Sequence, residues 1–137
     1  MANALYGLGR EAFLSGGIAW LTDNIRVVSY DESDDPINID TDEFLSNILA
    51  AAREFESGNF ATKTATLGVA DAADLSPAFT GATGDIFDSI TIFHETGSEA
   101  TSTLICNIDT ATGLPLTPDG GNIDITWSAT ADRIFKL

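Results

Sequence analysis

The run Phe87-Asp88-Ser89-Ile90-Thr91-Ile92-Phe93-His94 places Ile90, Ile92 and His94 two residues apart. That is the period of a β-strand, in which alternate side chains share a face. Further along, Ile123, Ile125 and Trp127 alternate with Asp124 and Thr126. This pattern predicts a strand with one buried and one wet face. Between them, Leu104, Cys106 and Ile108 repeat the same spacing. Working outward, short strands are expected over 53–56, 63–70, 75–79, 87–94, 102–108, 123–128 and 133–137. Glycine-bearing turns separate them at Ser57-Gly58-Asn59, at 81–84, at Gly97-Ser98 and at Asp119-Gly120-Gly121. Strands this close together, with no long helices between them, imply antiparallel pairing.

The first part of the chain reads differently. Leu5, Leu8, Ala12 and Phe13 fall at helical spacing and predict a helix from Ala2 to Leu14, with Asn3 as its N-cap and Ser15-Gly16-Gly17 as its stop. Gly7 and Gly9 inside it cost about 1 kcal/mol each relative to Ala, so this helix has to gain stability by packing. An apolar stretch with Trp20 follows, then the β-branched run Ile25-Arg26-Val27-Val28-Ser29-Tyr30, a strand. Residues 31–43 hold seven acidic side chains and read as a loop. Thr41-Asp42-Glu43 is expected to open a second short helix through Phe44, Leu45, Ile48 and Leu49, its acidic start suiting the helix dipole. The expected fold is therefore mainly β (α+β): an antiparallel β-sandwich or sheet with an N-terminal helix and one further short helix. One domain is expected over 1–137, with a helical and apolar segment 1–24, an acidic loop 31–43 and an antiparallel β-region 53–137.

Composition narrows the function classes. The 137 residues carry 21 acidic and 6 basic side chains, a net charge of −15, with 44% hydrophobic residues. Phosphate binding needs clustered Lys and Arg, so neither nucleic acid nor an anionic membrane is an expected partner. No stretch approaches the roughly 20 apolar residues of a membrane span. With one cysteine there is no intramolecular disulfide to form, and folding in a reducing cytoplasm is expected. Cys106 is expected to be buried and inert.

No catalytic constellation is legible. His94 is the only histidine, and the adjacent Glu95 points to the other face of the strand. A zinc site fails on ligand count. The acidic loop fails as an EF-hand, because Pro36 stands where the turn requires glycine. A calcium or magnesium ion held by Asp31, Asp34, Asp35 or Asp40 is the lesser reading; no cofactor is expected. Gly7-Leu8-Gly9 lacks the third glycine and the preceding strand of a dinucleotide fingerprint.

Several stretches carry a family resemblance: Met1-Ala2-Asn3-Ala4-Leu5-Tyr6, Glu11-Ala12-Phe13-Leu14, Gly68-Val69-Ala70-Asp71-Ala72-Ala73-Asp74, the run IDTATGLPLTPDGG from Ile108 to Gly121, and Asp132-Arg133-Ile134-Phe135-Lys136-Leu137. The chain resembles small virion structural proteins of tailed bacteriophages, cyanophages among them. The resemblance implies a non-enzymatic capsid decoration, or cement, protein. It would fold in the host cytoplasm, bind the outside of the capsid, and bridge subunits of the major capsid protein as a dimer or trimer. A tail, baseplate or fibre component is the alternative, and a small carbohydrate-binding module a second one. For a cement protein, Tyr6, Phe13 and Trp20 either supply apolar anchoring or simply cover the sheet. Asp31, Asp34 and Asp35 either steer the loop toward basic patches on the shell or stay in solvent.

Overall fold

The computed structural model describes residues 3–137. Nine strands, one α-helix and two 3-10 turns are found among them: β1 (Ala4–Leu5), α1 (Gly7–Ser15), β2 (Ile25–Tyr30), β3 (Thr64–Thr66), β4 (Val69–Asp71), β5 (Leu75–Phe79), β6 (Ser89–His94), β7 (Leu104–Ile108), β8 (Ile123–Ile125) and β9 (Phe135–Lys136), with the 3-10 turns at Leu45–Asn47 and Ala50–Ala52. The fold is mainly antiparallel β, as the alternating runs predict. The strands form a four-stranded sheet in the order β1-β7-β6-β2, a three-stranded sheet β3-β4-β9 and a two-stranded sheet β5-β8.

The four-stranded sheet has apolar side chains on both faces. Ile25, Val27, Ile90 and Ile92 pack with Trp20, Phe60, Phe79, Phe87, Trp127 and Phe135. Val28, Tyr30 and Phe93 turn the other way and pack with Tyr6, Leu45 and Ile48, which Ile37 and Ile39 help to cover. A register shift between Ile92 and Phe93 pairs Ile92 with Cys106 and Phe93 with Leu104. The extra residue lets Ile105 join the first layer beside Cys106 while Leu104 joins the second.

Where the structure departs from the sequence reading, tertiary hydrogen bonds decide. The helix does not start near Asn3; Ala2 itself lies outside the described residues. Ala4 and Leu5 pair with Asn107 and Cys106 as a strand, and the helix begins at Gly7. The Asn3 side chain does not cap it: its Oδ1 accepts from the N–H groups of Asp109 and Thr110 at 3.0 and 2.9 Å. The second helix is replaced by the two 3-10 turns. The Leu45 and Ser46 N–H groups donate instead to the carbonyls of Ser102 and Glu99, at 2.8 and 3.1 Å, so an α-helical ladder has less to offer there. Residues 53–56 form no regular strand; Glu56 makes one isolated bridge with Val28. The segment still covers the β2 edge, with Ser29 N–H donating to the Phe55 carbonyl and Ser57 N–H to the Val27 carbonyl, at 2.8 and 2.9 Å. The expected strand 63–70 is a hairpin, β3 and β4, turning at Leu67-Gly68.

Candidate interaction site

The loop 31–43 is acidic yet held to the body by its own carboxylates. Asp31 Oδ1 accepts from the Ser33 N–H and hydroxyl at 2.9 and 2.6 Å, a local turn typical of Asp. Asp35 Oδ2 accepts from the Leu49 N–H at 2.7 Å, tying the loop to the second 3-10 turn. Asp42 Oδ2 accepts from the Asn38 N–H at 3.0 Å and closes the far end. The Ile39 carbonyl receives the Gly7 N–H at 2.9 Å, which fixes the loop against the start of α1. Of the three carboxylates expected to steer a partner, Asp31 and Asp35 are thus partly covered and structural, whereas Asp34 is exposed. Asp40, further along the loop, is exposed as well.

Burial raises the Glu32 carboxyl above its ordinary range, and the negative charges of Asp88 and Asp109 add to the effect. Burial likewise raises Asp42, with Asp35 contributing. Beneath the loop lie Tyr6 and Tyr30, both fully enclosed, their hydroxyls pushed above the usual tyrosine range chiefly by burial. Among the described residues, no group of three or more His, Cys, Asp or Glu side chains is placed to hold a metal ion.

The aromatic residues expected to anchor a partner occupy two kinds of place. Tyr6 is 0% and Trp20 6% exposed, so both are enclosed by the chain's own core. Tyr6 hydrogen-bonds Thr91 through its hydroxyl at 3.3 Å, and Trp20 Nε1 donates to the Thr64 carbonyl at 2.9 Å. This is the sheet-covering role. Phe13 is only half-buried, against Phe135 with ring centroids 5.9 Å apart. It forms one wall of an apolar hollow of about 170 Å³, completed by Trp20, Ala65, Gly68, Ala70, Phe135 and Leu137. Next to the hollow, Leu67 is 91% exposed at the tip of the β3–β4 turn. The sequence reading missed Leu67 and Leu137. The available signal was a leucine immediately before a turn glycine, where Asn or Asp usually stands.

Two adjoining open grooves, of about 470 and 460 Å³, flank the segment 128–134, the first beside β1 and β7 and the second beside residues 110–112 and 124–127. They share Asn3, Ile108, Ser128, Arg133 and Ile134, a mixed lining with no convergent set of titratable groups.

His94 Nε2 lies 3.4 Å from Asp23 Oδ2, so the histidine meets a carboxylate that sequence spacing did not suggest. Asp23 Oδ2 also accepts from the Ala19 N–H at 2.7 Å, and the Asp23 carbonyl accepts from Lys63 Nζ. The pair pins the end of β6 to the turn before β2. Cys106 is buried, its thiol pushed up to about 12 by burial, which leaves little thiolate for chemistry. Among the described residues, no helix is long and apolar enough to cross a membrane. No protein-family model matches the chain, and no curated protein is significantly similar to it.

Proposed function

We propose that the protein is a non-enzymatic structural component of a tailed-phage virion, a cement protein that binds the outside of the capsid and bridges major capsid subunits. The observation that carries this reading is the fixed acidic loop. Its own carboxylates and backbone hold 31–43 in one shape while Asp34 and Asp40 stay in solvent. A pre-shaped acidic surface on a chain of net charge −15 suits a basic patch on a shell, because little ordering is required on contact. Many weak contacts repeated over a particle then add through multivalency. The sequence resemblance to virion proteins points the same way.

The test is binding to particles lacking the protein, with Asp34→Asn/Asp40→Asn beside the unaltered chain. Both positions are exposed, so the fold should survive. The reading expects weaker binding and a shallower salt dependence. Equal affinity and equal salt slope would remove the loop from the account. Imaging of particles with and without the protein separates shell from tail: density lost from the tail would replace the cement reading with a tail component.

A further inference from the structure

We propose that the apolar face built by α1, the β3–β4 hairpin and β9 is the contact between two copies of this chain, the Leu67 of each copy seated in the hollow of the other. Leu67 has φ +54 and Gly68 φ +78, so both central turn residues are in the left-handed region. Such a turn favours Asn-Gly, and a branched aliphatic residue there is strained. The same leucine is 91% exposed, and Leu137 56%. The monomer gains neither local conformational preference nor burial from Leu67. A contact outside the monomer supplies the missing burial.

The hollow is the complement of that knob. Its seven lining residues are all apolar or glycine, and its volume is about 170 Å³. A dry apolar cavity of roughly 150 Å³ already accepts a benzene ring, so a leucine side chain fits. Knob and hollow are adjacent, since Gly68 of the turn is part of the hollow's wall. A two-fold axis between them lets each copy insert its knob into the other, a closed and self-complementary arrangement.

Charge selects a second copy as the occupant. On α1, 63–71 and 135–137 the side chains are Arg10, Lys63 and Lys136 against Glu11 and Asp71, one net positive charge. The remaining chain has three cations against nineteen anions, sixteen net negative. Two such chains repel through most of their surfaces. Here the rim is mixed in sign. Lys63 is held by the Asp23 carbonyl and Asp71 lies 3.9 Å from Arg133, while Arg10, Glu11 and Lys136 are exposed. Arg10 or Lys136 of one copy can therefore face Glu11 of the other.

This proposal does not rest on the cement reading; it is tested on the free protein by sedimentation velocity over a range of concentrations. The unaltered chain should move from 14.4 kDa toward twice that mass. Leu67→Asn removes the knob but suits the turn, so circular dichroism and the thermal midpoint of the dilute monomer should not fall. Its dimer should be at least about a hundredfold weaker, two buried leucines being lost. Ala65→Trp fills the hollow and should act likewise. A chain that stays monomeric throughout, a Leu67→Asn variant that still pairs, or a mass that climbs past the dimer would each overturn the proposal.

Discussion

Tyr30 and Asn107 face each other's neighbours across the centre of the sheet, and their polar atoms fare differently. Asn107 Nδ2 donates to the hydroxyls of Ser89 and Thr91 at 3.1 and 3.0 Å, and Thr91 also meets the Tyr6 hydroxyl. The Tyr30 hydroxyl and Asn107 Oδ1 have no protein partner among the described residues, although both are buried. A buried hydroxyl without a partner loses its hydration and gains nothing in return, whereas a partnered one contributes about 1 kcal/mol. Tyr30→Phe should therefore leave stability unchanged or raise it by up to about 1 kcal/mol. Tyr6→Phe should lower it by about 1 kcal/mol, since the Thr91 contact is lost. Urea unfolding of the two variants at equal concentration measures the difference. Equal losses in both would mean that the Tyr30 hydroxyl is satisfied after all.

At the scale of elements, α1 shows how a local cost is offset by packing. A Cβ on Gly9 would collide with the Leu104 carbonyl oxygen and press on Ile105, so the missing side chain is what lets the helix lie on β7. A Cβ on Gly7 would meet Asp40 no closer than 3.6 Å, an ordinary contact. Gly9→Ala should thus destabilise by about 1–3 kcal/mol despite the better helix propensity. Gly7→Ala should stabilise by up to about 1 kcal/mol. Thermal unfolding of the pair decides, and two changes of the same sign would reject the packing account. The sequence showed that this helix needed a partner but not which glycine met it. Strands β2, β6 and β7 were legible because β-branched and apolar residues alternate or cluster over five or six positions. The β3–β4 turn was not, because Leu67 hides a turn that Asn would have announced. The first 3-10 turn was not, because the carbonyls that accept from Leu45 and Ser46, at Ser102 and Glu99, lie far along the chain. The acidic loop was visible from composition alone. The apolar hollow was not, since α1, the 63–71 region and the C-terminal strand bring its walls together from distant parts of the chain.

Charge acts on the molecule as a whole. Twenty-one carboxylates and six cations repel on balance at neutral pH, and folding brings them closer together. Added salt should therefore raise the thermal midpoint at pH 7, by screening over a Debye length of about 8–10 Å. Glu32 makes the pH dependence specific. Its folded-state pKa is raised by burial, then by Asp88 and Asp109. A carboxyl raised on folding is protonated more readily in the native state, so its cost is full above the folded-state pKa and vanishes below the unfolded value of about 4.3. Glu99 has the opposite sign. Hydrogen bonds from Arg53, at 2.7 and 2.6 Å, lower its pKa, so its contribution is present at neutral pH and lost on acidification through the folded-state value. Glu99 is more than half exposed and screened by solvent, which limits that loss. Glu32→Gln should consequently raise the midpoint at pH 7 and lose this advantage as the pH falls through the carboxylate range. In the same scans Glu99→Gln should lower the midpoint at pH 7 and converge on the unaltered protein in acid. If the two variants shift the midpoint in the same direction at pH 7, the burial of Glu32, with Asp88 and Asp109 nearby, is not what sets its cost.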